Sequence, residues 1–155
     1  MNVHTRTTRE CSLDSLPAEL VGAIRSHIEF YKLGNVESSI VICVETTSAE
    51  KKPGLFRNNS ETTISVDLVT SDWLIVAEKK GNDKPGVISG QLKNLNVQNF
   101  EDSAMFKISP DTGLNITGRY SDVTKQGTAF IGLGTGPAAD KFRKALREAI
   151  QNKRN

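Results

Sequence analysis

Apolar positions at helical spacing mark the first element of the chain. Leu20, Val21, Ile24, Ile28 and Tyr31 recur every three or four residues, with Glu19, Arg25, Ser26 and Glu29 on the wet side. Ser15 as N-cap, Pro17 in the first turn and Gly34-Asn35 as terminator predict a helix over about 15–33. The preceding residues 1–12 are polar, rich in Thr and Arg and without a period, and read as a flexible tail.

From Val36 the period changes to two. A β-branched run predicts a strand over 38–46, and Thr62–Leu68 alternates, with Ile64, Val66 and Leu68 inside and Thr63, Ser65 and Asp67 outside. Trp73–Ala77 is the next strand. Shorter ones follow at about 87–91, 94–100, 104–109, 113–120 and 126–132, separated by turn sequences such as Thr70-Ser71-Asp72 and Pro110-Asp111-Thr112-Gly113. Pro137 opens a final helix over about 137–152, whose apolar face is Phe142, Ala145, Leu146, Ala149 and Ile150. The expectation is a mainly β (α+β) chain. A tail over 1–12 precedes one domain over 13–155, with about seven antiparallel strands between 36 and 132, an N-terminal helix and a C-terminal capping helix.

Composition narrows the class. The 155 residues are 37% hydrophobic and 25% charged, which allows a real core and excludes a disordered or collagen-like chain. No apolar run reaches the roughly 18 residues of a membrane span, so no transmembrane segment is expected. A net charge of +2 gives no field that would imply nucleic acid. The basic surplus lies in the last helix, where Lys141, Arg143, Lys144, Arg147, Lys153 and Arg154 face only Asp140 and Glu148. It reads as a solvated helix face with favourable charges near its C-terminus. The N-terminus has no apolar segment of a signal peptide, so the expected location is the cytoplasm, with a peripheral membrane position as the variant.

The order of helix, antiparallel strands and C-terminal amphipathic helix resembles the pleckstrin-homology-like barrel, including PH-like and GRAM-like domains. Leu68–Val76 is similar to that family's second hairpin, and Val87–Val97, with Leu92 and Leu95, to the strand and link that follow. The resemblance covers about 36–150, and the N-terminal helix departs from it. It implies a barrel whose last helix plugs one open end. In phosphoinositide-binding members the first hairpin loop carries spaced basic residues. Lys51, Lys52 and Arg57 occupy a similar place here, although Asn58-Asn59-Ser60-Glu61 adds no further cation.

The residues themselves offer little catalytic chemistry. His4 lies in the tail, and His27 at the edge of the helix stripe reads as a boundary residue; no nucleophile motif points at either. Cys43 reads as a buried small hydrophobe, and Cys11 and Cys43 lack the spacing of a zinc site. Gly132-Leu133-Gly134-Thr135-Gly136-Pro137 lies between a strand and a helix, as an anion-binding turn would. Too little chain follows for a second strand, so it reads as a plain turn. The candidate contact surface is the 48–59 loop, where Lys51, Lys52 and Arg57 flank Leu55 and Phe56, a pattern suited to an anionic lipid surface or a protein partner. The resulting expectation is a non-enzymatic binding or scaffolding module without cofactor or metal. Protein–protein interaction leads, anionic-lipid headgroup binding through that loop is the first alternative, and lipocalin-like small-ligand binding is the second. Oligomeric state is left open.

Overall fold

The computed structural model describes residues 3–51, 61–121 and 124–155. Among these residues, eight antiparallel strands form two sheets, and two α-helices pack against them. The larger sheet is a five-stranded meander: β1 (Val3–Glu10), β2 (Ile42–Lys51), β3 (Glu61–Val69), β4 (Trp73–Lys80) and β5 (Gly86–Gln91). The smaller holds β6 (Asn96–Asn99), β7 (Gly113–Gly118) and β8 (Gly127–Gly132). Helix α1 (Ala18–Phe30) lies between β1 and β2 in sequence, and α2 (Pro137–Arg154) ends the chain. The sheets are not closed into a barrel. Only an isolated bridge, Gly90 to Tyr120, joins the β5 side to the smaller sheet, and no ladder joins β8 to β1 among the described residues.

Alternation along each strand sorts the large sheet into two covered faces. On one, Cys43, Val66, Leu68, Ile75 and Ala77 pack under Leu20, Val21 and Ile24 of α1. On the other, Ile42, Val44, Val69 and Leu74 join Leu114, Ile116 and Ile131 of the smaller sheet and Phe142, Leu146 and Ile150 of α2. The face of α2 expected from the sequence is the one buried, and Pro137 occupies its first turn. Its cations fasten it to both sheets: Lys141 reaches Glu10, Arg143 reaches Glu101 at 3.0 Å, and Lys153 reaches Asp72.

Several expected boundaries move, each for a local reason. Residues 3–10 are not a tail but β1, held by complementary cross-strand pairs: Thr8 bonds Thr46 (2.8 Å) and Arg9 bonds Glu45 (2.7 Å). Helix α1 begins at Ala18, because proline drives the residue before it out of helical conformation; Leu16 is extended, with ψ 159°. Ser15 therefore caps a short 3-10 turn over Leu13–Ser15 with Ser12. The helix ends with Lys32 at φ 55°, and the Lys32 and Leu33 N–H groups bond back to Glu29 and Ile28. Strand β2 starts later than expected, after a 3-10 turn over Val36–Ser39, and continues to Lys51, through the start of the expected loop. Residues 104–109 are not a strand: Ala104–Lys107 is a 3-10 turn that sets Phe106 edge-on to Phe100.

Candidate functional site

The inner face of the large sheet changes character along its strands. On β2 the inward residues run Ile42, Val44, Thr46, Ser48, Glu50. On β4 they run Leu74, Val76, Glu78, Lys80, and on the antiparallel β3 they run Val69, Asp67, Ser65, Thr63, Glu61. The apolar end of all three is filled by α2. Toward the polar end, among the described residues, the large sheet and β8 line a cavity of about 190 Å³. That is about six times a water molecule's share of liquid volume, about 30 Å³, and so enough for a small organic molecule.

Asp67 stands where the gradient turns from apolar to polar. It is opposite Val76 in the β3–β4 register, its residue surface is 0% exposed, and it lines the cavity. Neither carboxylate oxygen has a hydrogen-bond partner, and among the described residues it is the only side chain with buried, unpartnered polar atoms. Burial pushes its carboxyl well above the usual carboxylate range, and the nearby Glu78 charge adds to the push. An isolated carboxylate in such a place is costly, so burial favours the neutral acid at Asp67.

The rim is charged and mostly acidic. Glu50 and Glu61 face each other directly across β2 and β3, an arrangement that disfavours the strand pair unless a cation lies near. Lys80 lies 3.6 Å from Glu61. Arg6 projects from β1, donating to both carboxylate oxygens of Asp111 (2.9 and 2.8 Å) and to Ser48 Oγ, with its guanidinium 5.4 Å over the ring of Phe130. Asp111 thus satisfies the Arg6 charge, and among the described residues Glu50 and Glu78 form no ion pair.

Glycines set the wall on the β8 side. A Cβ at Gly132 would lie within van der Waals radii of the Arg6 guanidinium, and one at Gly134 would lie 2.7 Å from the Arg6 carbonyl oxygen. Gly134 N–H donates to Thr8 Oγ1 at 2.8 Å. The Gly132–Gly136 run therefore lets the end of β8 pass close beside β1.

The contact loop expected over 48–59 lies largely outside the described residues. Lys51 is the last residue of β2, while Lys52, Leu55, Phe56 and Arg57 lie outside the described residues. His27 is buried between α1 and β5, with Nε2 2.8 Å from Ser89 Oγ and its ring 4.6 Å from that of Tyr31. Ser89 is itself enclosed, so the pair is packed inside the fold. Asp67, expected on the outer face of its strand, is the buried candidate that the alternation misassigned. The signal lay in the neighbouring strand: Trp73–Ala77 is apolar without interruption, the mark of a strand covered on both faces. A strand paired with it is covered on both faces too, and Asp67 then has no wet side to occupy.

Among the described residues no helix is long and apolar enough to cross a membrane. Comparison with known proteins finds no matching family model, no similar curated protein and no similar solved structure.

Proposed function

We propose that the protein is a non-enzymatic binding module whose interior cavity takes a small organic cation, with a primary ammonium or guanidinium group seated on Asp67. One observation carries this reading: a fully enclosed carboxyl, aimed into a cavity, with both oxygens unpartnered. A bound ammonium supplies both the countercharge and the charge-assisted hydrogen bonds that burial otherwise denies. With Arg6 set against Asp111 and Lys80 against Glu61, the remaining rim acids, Glu50 and Glu78, favour a cation over an anion. Among the described residues no three His, Cys, Asp or Glu side chains converge as a metal ion would require, which favours an organic cation over a bare one.

The same order of elements supports reading the fold as an open variant of the PH-like architecture. Four strands (β2–β5), three strands (β6–β8) and a C-terminal helix on the inner face follow in sequence, with β1 and α1 as additions. The protein-partner and anionic-lipid readings through Lys51, Lys52, Leu55, Phe56 and Arg57 rest on sequence alone. The small-ligand reading moves ahead of them because it has a site.

The test is a thermal-shift and calorimetric screen of small primary amines and guanidines beside matched carboxylates and neutral amides. A cation present at about 100 times its Kd raises the Tm by several degrees. The expected result is stabilisation by a subset of the cations only, abolished in Asp67→Asn. Absence of any cation-selective shift, or a shift that survives Asp67→Asn, overturns the assignment.

A further inference from the structure

The opposite face of the large sheet holds a second reactive arrangement. Cys11 immediately follows β1, and its N–H donates to the carbonyl of Cys43 on β2 at 3.0 Å, extending the β1–β2 ladder by one residue. The two side chains lie on the α1 side of the sheet, and their sulfurs are 2.9 Å apart although 32 positions separate them in sequence. A disulfide needs about 2.05 Å between sulfurs and Cα atoms 4.4–6.8 Å apart. Directly opposed residues of antiparallel strands meet the second requirement, at about 4.5–5.5 Å. Less than about 1 Å of closure separates this pair from a bond.

Access and reactivity are built in. A groove of about 450 Å³ over the end of β1 is lined by both cysteines together with Ser12, Leu13, Arg25 and Ile40. Cys11 is half-buried and Cys43 is buried. A hydrogen bond joins the two sulfurs, and either can donate; it draws the Cys11 thiol below its ordinary range, while the same bond and burial push Cys43 up. Cys11, the more exposed of the two, is therefore the attacking sulfur and Cys43 the resolving one.

We propose that Cys11 and Cys43 are a redox-active dithiol that a low-molecular-weight disulfide, such as glutathione disulfide, converts to an intramolecular disulfide. The Cys11 thiolate attacks one sulfur of the oxidant, forming a mixed disulfide and releasing one glutathione thiolate. Cys43 then loses its proton, attacks the Cys11 sulfur and displaces the second glutathione. Two protein thiols are oxidised and one glutathione disulfide is reduced to two thiols. The bond closes a loop that contains α1 and pins β1, the strand that carries Arg6.

The reduced protein is incubated with glutathione disulfide and followed by intact mass, peptide mapping and thermal melting. The expected product is monomeric, lighter by two hydrogens and free of glutathione, with a linked Cys11–Cys43 peptide. Its Tm rises by about 10 °C for a loop of this length and a chain of this size, and dithiothreitol reverses both changes. Cys43→Ser is expected to stop at the glutathione adduct on Cys11, and Cys11→Ser to react far more slowly. Should either variant fail to fold, the wild-type mass and linked peptide decide alone. Two thiols that stay open to alkylation, an adduct that accumulates in the wild type, or covalent dimers overturn the proposal.

Discussion

Replacing Asp67 by Leu is expected to stabilise the empty protein. The substitution keeps the branching at Cγ while removing two buried oxygens that no donor or acceptor meets. An unsatisfied buried polar group costs about 1–3 kcal/mol. The cavity beside Asp67 gives the added methyl groups room, so overpacking offsets little of the gain. A net stabilisation of about 1–3 kcal/mol corresponds to a Tm increase of about 3–10 °C for a chain of this size. The gain depends on pH in a definite direction. The folded carboxyl titrates above its unfolded value, so between those two values the unfolded state binds fewer protons than the native state. Wild-type stability is therefore greatest below about pH 3.9, the unfolded value, and declines as pH rises toward the folded one. The Leu variant lacks this decline, so the gap between the two proteins widens with pH. Urea denaturation across a pH series measures it. A Leu variant less stable than wild type, or a gap independent of pH, would refute the reasoning, because either result means that Asp67 has a partner.

Asp111→Ala leaves the Arg6 guanidinium without its bidentate partner beside the cavity; it should cost about 1.5–3 kcal/mol by chemical denaturation and weaken amine binding by repulsion, whereas unchanged stability and binding would contradict the role given to Asp111. Gly134→Ala sets a Cβ 2.7 Å from the Arg6 carbonyl and should destabilise by about 1–3 kcal/mol; a neutral result would mean that β8 does not approach β1 this closely. Phe142→Ala, at the centre of the α2 contact, should cost about 3–5 kcal/mol, with loss of protection from hydrogen exchange in α2. Amine affinity should rise with pH until Asp67 ionises in the free protein, because the cation displaces its proton; calorimetry in two buffers of different ionisation enthalpy should detect the released proton.

Much of the fold was legible because the apolar pattern is strong where helices cover the sheet. The α2 stripe of Phe142, Leu146 and Ile150 and the strand Trp73–Ala77 could be read directly. Strand β1 could not, because its inward residues include Arg6 and Thr8, and what holds them is Ser48, Thr46 and Asp111, far along the chain. Local pattern carries no record of such pairings. The same limit hid the cavity. A strand with Thr63, Ser65 and Asp67 on one face looks half-solvated, and only a second sheet and a helix on that side turn those positions inward. The Cys11–Cys43 approach depends likewise on the β1–β2 register, which spacing in sequence does not reveal.

The most direct measurement is a carboxyl-carbon NMR titration of Asp67, assigned by its loss in Asp67→Asn, alone and with a saturating amine or guanidine from the screen. The account predicts a midpoint well above the ordinary value of about 3.9 in the empty protein, moving down when the cation binds. A midpoint near the ordinary value, or one that does not move when the cation saturates, would contradict it.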